Sequence, residues 1–129
     1  MFNTKSIHTK AESTDGLRIL ATRFRGRGIP SSLYDVWMPN LGPSEKLLKA
    51  VLAEEITWKE FSRRYREELF AGGGVDDSNV TIKNHGQKFT LRLLQHLAKH
   101  QAITLLCHCA EDAPQCHRYL LRDILTRTI

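Results

Sequence analysis

The chain has 129 residues and a formal net charge of +5, from 19 lysines and arginines against 14 aspartates and glutamates. At 41% hydrophobic and 26% charged, its composition is that of an ordinary globular protein, which excludes a disordered, collagen-like or membrane-spanning chain. The length predicts a single domain over residues 1–129.

The positive excess permits a nucleic-acid or nucleotide partner, and it reads equally well as plain solvated surface. The N-terminal residues Met1 to His8 form no apolar leader, and no run approaches the roughly 18 apolar residues of a membrane span. A cytoplasmic protein without membrane contact is expected. Cys107, Cys109 and Cys116 lie in one short segment, which suits reduced thiols better than a disulfide framework.

In chain order, Ile7 to Thr9 is a candidate short strand, and Leu17 to Arg23 follows the Asp15-Gly16 turn as a buried strand. Arg25-Gly26-Arg27-Gly28-Ile29-Pro30 then breaks regular structure. Ser44 precedes an apolar stripe of Leu47, Leu48, Val51 and Leu52 and is the expected N-cap of a first helix. Thr57-Trp58-Lys59-Glu60 has the form of a capping box, after which Trp58, Phe61, Tyr65 and Leu69 recur on one helical face, with a stop expected at Gly72-Gly73-Gly74. That aromatic stripe reads as core rather than as a base-stacking platform. A third helix is predicted from Gln87 to Lys99. Ala102 to Cys109 is a continuous apolar run, the pattern of a strand covered on both faces in a parallel sheet. Asp112-Ala113-Pro114-Gln115 reads as a second capping box that opens a last helix to about Thr126. The order predicts an α/β fold, one small and mostly parallel sheet covered by helices.

Ligands of such sheets collect beyond the carboxyl ends of the strands. Two segments fall there: Arg23, Arg25 and Arg27 after the second strand, and the stretch from Cys109 to Arg118 after the last.

Asp15-Gly16-Leu17-Arg18-Ile19-Leu20, Arg23, Arg27-Gly28, Asp35-Val36-Trp37, Leu41-Gly42-Pro43-Ser44 and the series Trp58, Phe61, Tyr65, Leu69 resemble the YeaO-like family of small bacterial proteins, the domain of unknown function 488. The resemblance runs from about Ile7 to Leu125. This chain has Arg25-Gly26 where that family usually carries Trp-Pro, and its Cys116-His117-Arg118 is similar to longer members of the wider family. The resemblance implies the fold; it implies no particular reaction.

On a helical wheel His117 falls within the arc of Leu120, Leu121, Ile124 and Leu125, so it should face the sheet. It is either a buried histidine satisfied by a backbone carbonyl or a neutral imidazole placed for proton transfer. Arg118 is either an anion clamp at the rim or a surface arginine. Cys116 is either a helix-start thiolate or a packing thiol. The pairing of Cys109 with Arg118 is not that of a Cys-dependent phosphatase: eight residues separate them, no glycine shapes the loop, and Glu111 and Asp112 would repel phosphate. The C-x-C-x6-C-H spacing is not a standard zinc pattern either, so neither a metal nor any other cofactor is expected.

These observations lead to a basic rim pocket for an anionic small molecule or nucleic acid. Arg23, Arg27 and Arg118 are the candidate ligand-binding residues, and His117, Cys116 and Glu111 the candidate catalytic ones. The alternative is a non-catalytic module that binds nucleic acid or protein.

Overall fold

The computed structural model describes residues 1–70 and 87–127. Four strands form one sheet: β1 (Phe2–Ser6), β2 (Leu17–Leu20), β3 (Val36–Trp37) and β4 (Ile103–Cys107). Among the described residues four α-helices accompany it: α1 (Glu45–Leu52), α2 (Trp58–Phe70), α3 (Gln87–Leu97) and α4 (His117–Leu125). The strand order is β1-β4-β2-β3 and every pairing is parallel. The expected α/β class is therefore what the chain adopts, and all the strand C-termini point to one rim. Among the described residues no helix is long and apolar enough to cross a membrane.

β4 is buried along its whole length because neighbours pair on both edges and side chains cover both faces. One face carries the main core, where Ile19, Ile103 and Leu105 meet Phe61, Leu91 and Leu121 from α2, α3 and α4. The other face is closed by loop residues, Ile29, Leu33 and Tyr34 packing over Ile7, Leu20 and Leu106. Helices thus pack on one side of the sheet and an irregular segment on the other.

The helix starts follow local chemistry. Ser44 Oγ accepts the Leu47 N–H at 3.2 Å, while the Glu68 carboxylate takes both the Ser44 N–H and hydroxyl and so ties α1 to α2. Thr57 Oγ1 accepts the Glu60 N–H at 3.1 Å, but the Glu60 carboxylate turns to Arg63 and Arg64. The expected stop of α2 at Gly72 to Gly74 lies outside the described residues.

Several boundaries differ from the sequence reading: β2 ends at Leu20 rather than Arg23, β4 spans Ile103–Cys107 rather than Ala102 to Cys109, and α3 ends at Leu97 rather than Lys99. The first strand is Phe2–Ser6, not Ile7 to Thr9; its polar residues are tolerated because it is an edge strand, and Ile7 adds one more bond to the Cys107 carbonyl at 2.8 Å. β3 has only two residues, too few to leave a periodic signal. The last helix begins at His117 with Cys116 as N-cap, not at Asp112 to Gln115. There the local capping pattern loses to tertiary bonds, since Arg118 and Tyr119 hold the carbonyls of residues 109–111 and 113 in a loop.

Two features fix the sheet against its surroundings. Gly16 has φ +65, and a Cβ there would lie 2.1 Å from the Ala102 carbonyl oxygen, so the turn into β2 requires glycine. Beside it, buried Asp15 bridges Lys5 at 2.7 Å and Arg18 at 2.5 Å and accepts the Glu12 N–H at 3.0 Å. Burial opposes ionisation of this carboxyl, but Lys5, the Glu12 N–H and Arg18 outweigh it and hold the pKa below the usual value. A depressed folded-state pKa gives stability that is complete above the unfolded value of about 3.9 and lost as pH falls through the folded one. Asp15→Asn is expected to cost about 3 kcal/mol at neutral pH by leaving the buried Arg18 guanidinium without a counter-charge and Lys5 with Glu12 alone. In urea unfolding, the gap between wild type and variant should shrink as the pH is lowered beneath about 4.

Candidate functional site

The carboxyl ends of β2 and β4 and the start of α4 enclose a pocket of about 310 Å³. Its walls are Thr22, Arg23, Phe24, Pro43, Leu48 and Leu52, and its floor is Cys107, His108, Cys109 and His117. Phe24 and Leu52 stand exposed at the mouth. A larger hollow between α1 and α2 is open and remote from the thiols and imidazoles.

His117 is placed from two sides. The edge of Tyr65 packs on its ring at 5.8 Å between centroids, at the end of the stack that runs from Trp58 through Phe61. Its Nε2 lies 2.5 Å from the Ala21 carbonyl oxygen, which can only accept, so Nε2 carries the proton. Burial lowers its pKa against the opposing effects of the Ala21 bond and Cys109. The ring is then neutral, with the Nδ1 lone pair 3.9 Å from Cys116 Sγ. His117 is thus a half-buried imidazole satisfied by a backbone carbonyl, the first of the two expected readings, and it also lines the pocket.

Arg118 is not at the rim. Its side chain is fully buried; Nη1 donates to Cys107 Sγ at 2.7 Å, and Nη2 reaches the carbonyls of Ala110 and Glu111 at 3.1 and 3.0 Å. The Tyr119 ring lies 4.8 Å from the guanidinium. The expected meeting of Arg118 with Arg23 in one pocket does not occur, because the short loop after β4 supplies enough carbonyls to draw the guanidinium inward. Burial works against its charge, but the neighbouring Cys107 sulfur overcomes this and raises the pKa.

The other candidates separate. Arg23 does line the pocket, its Nε and Nη2 donating to Pro43 O and Gly42 O at 3.0 and 2.9 Å. Arg27 is exposed outside it. Glu111 faces away, accepting from the Ser6 N–H at 3.1 Å and the Thr9 hydroxyl at 2.6 Å. Cys116 is buried, with its sulfur 3.0 Å from that of Cys107.

Cys109, set aside as a phosphatase nucleophile, is the exposed thiol of the three and sits on the pocket floor with His108. His108 Nε2 lies 3.1 Å from the Phe24 carbonyl oxygen, and Gly26 passes so close that a Cβ would come within 2.7 Å of the ring. The three sulfurs lie within 4.8 Å of one another. Hydrogen bonding from Cys107, then Cys116, brings the Cys109 thiol far below its ordinary pKa, with His117 and Arg118 adding to the effect. The pKa values of Cys107 and Cys116 are raised in turn, by the Cys109 and Cys107 sulfurs respectively. Three sulfurs thus converge next to a buried guanidinium, a setting suited to nucleophilic sulfur or to soft-metal ligation.

Fold and rim together define a small parallel α/β domain with a thiol and imidazole site at the carboxyl edge of its sheet. The chain belongs to the DUF488 family, since the model of DUF488-N3a, described as the active DUF488-N3 subclade, matches residues 2–128. It is similar to the uncharacterized protein YeaO of Escherichia coli (strain K12), with 32% identity over 123 residues, 94% of this chain and 93% of that protein. No solved structure gives a significant match.

Arg118→Ala would leave several loop carbonyls and the buried Cys107 sulfur without their donor. It is expected to lower stability by about 3 kcal/mol or more, whereas an exposed helix arginine contributes roughly 0.5 kcal/mol. Guanidinium chloride unfolding of the two proteins measures the difference.

Proposed function

We propose that the rim pocket binds a small organic anion, its apolar body against Phe24, Pro43, Leu48 and Leu52 and its charged group beside Arg23 and the start of α4. The observation that carries this reading is the pocket's lining, which combines one arginine, two histidines and a helix N-terminus with apolar walls and includes no carboxylate. Arg23 is already oriented by two carbonyls, so little side-chain freedom is lost when an anion arrives.

A volume of about 310 Å³ with narrow apolar walls favours a phosphorylated or carboxylated metabolite over a nucleic-acid backbone, which needs an extended basic track. The bound anion would lie against Cys109 and His117, the reactive groups of the floor, and the family model's description as an active subclade accords with chemistry there. Reduced thiols at such a site suit a reducing compartment such as the cytoplasm.

The test is calorimetry and thermal unfolding with inorganic phosphate, alkyl and aryl phosphates, and carboxylates of matching size. Loss of one charged hydrogen bond is worth about 1.5–3 kcal/mol, so Arg23→Ala should weaken binding by roughly tenfold or more. Because Arg23 also braces the residue 42–43 backbone, exposed Leu52 supplies a second variant. Leu52→Glu should weaken anion binding with unchanged unfolding of the free protein, and Leu52→Lys should not weaken it. Equal binding by both Leu52 variants, or affinity only for nucleic acid with a steep salt dependence, would overturn the reading.

A further inference from the structure

We propose that Cys107, Cys109 and Cys116 hold a zinc ion beneath the pocket, with His117 Nδ1 as the fourth donor. The first ground is convergence. Three sulfurs, from the end of β4, the loop after it and the cap of α4, come within 4.8 Å of one another, two of them in buried side chains. Simple packing does not demand that three polarisable sulfurs face one point.

The second ground is the histidine. Its Nε2–H donates to the Ala21 carbonyl, which fixes the ring and leaves the Nδ1 lone pair on the thiol side, 3.9 Å from Cys116 Sγ. A ligand histidine is ordinarily oriented in this way, by a bond from its other nitrogen to an acceptor behind it. The third is the company kept by Cys107. Its sulfur takes a donor from Arg118 at 2.7 Å and another from the Cys109 N–H at 3.3 Å, which holds its lone pairs in place at the cluster.

Charge supplies the fourth ground. The Arg118 side chain is fully buried, and the Glu111 carboxylate, half exposed, stands 3.9 Å off. A divalent ion with three thiolates and a neutral imidazole carries one net negative charge, which the buried guanidinium balances. Without the ion, three thiolates at this spacing would repel each other. Three converging sulfurs, with an imidazole nitrogen beside one of them, are the donor types of a tetrahedral zinc site. Binding releases thiol protons and leaves every oxidation state unchanged.

The test uses full-length protein, reduced and freed of metal by a chelator, then titrated with Zn2+ or Co2+ alone. Expected are about one equivalent bound per chain, a higher melting temperature with Zn2+ but not with Mg2+, and for Co2+ the visible bands of a tetrahedral ion with near-ultraviolet thiolate charge transfer. Cys109→Ser, at an exposed position, should keep the fold, lose about one third of the charge-transfer intensity, and bind Zn2+ on the order of 100-fold more weakly. His117→Ala should keep the thiolate bands and shift the visible ones. Three thiols whose reactivity Zn2+ leaves unchanged would overturn the proposal. So would a protein about two hydrogens lighter because Cys107 and Cys116 have joined, or Cys109→Ser binding like wild type. None of these readouts involves the pocket's organic ligand, so this assignment and the anion-binding reading stand or fall separately.

Discussion

Arg118 is a full positive charge in the interior, and the region around the site is arranged to accommodate it. A buried guanidinium is costly unless its donors and its charge are both met. The loop after β4 meets most of the donors by turning the carbonyls of Cys109, Ala110 and Glu111 toward it, and Cys107 offers a polarisable sulfur on the other side. Because that loop is wrapped on the arginine, it cannot continue as strand or begin the helix early. The position of Cys109 at the pocket, the late start of α4 and the packing of Tyr119 on the guanidinium follow from one placement.

The rest of the fold supplies the frame. Parallel pairing puts the ends of β2 and β4 side by side, so the Ala21 carbonyl and the Cys107 sulfur reach the same rim. α2 contributes through its aromatic face rather than its charged one: Tyr65, with its hydroxyl bonded to the Leu41 carbonyl, is a rigid wall against the edge of His117. The same hydroxyl ties the residue 39–41 turn to α2, and the next residues, Gly42 and Pro43, orient Arg23. A packing residue four positions from Phe61 therefore bears on both His117 and Arg23 of the pocket.

Much of this was legible in the sequence, for physical reasons that also mark where legibility stopped. The apolar run of β4 read as a strand covered on both faces, and the stripe of α2 as a buried helix face, as the structure has them. With parallel order these two facts put the cysteines at the carboxyl rim. β1 was misplaced because an edge strand need not alternate, and its pairing is dictated by β4 rather than by its own Asn3, Thr4 and Lys5. The capping pattern at Asp112 was a sound local signal defeated by bonds from Arg118 and Tyr119, residues that a local reading counts as helix interior. Arg118 was read as rim-facing because charge argues for exposure. Its burial depends on carbonyls in a loop whose shape no periodicity encodes.

The dependence of loop on arginine decides how structure and function can be separated here. Removing Arg118 frees the carbonyls of residues 109–111, and with them the backbone that carries Cys109, so a loss of function in that variant would say nothing of whether the guanidinium itself acts on a ligand. The same holds for Cys107 and Cys116, whose sulfurs are buried in the frame. Arg23, Leu52 and Cys109 are different, since each presents its side chain to the pocket. Cys109 and Leu52 are also exposed, so substituting either disturbs little of the core. Function is to be read from the pocket's outer residues and stability from its inner ones, a division set by which side chains the buried charge has already recruited.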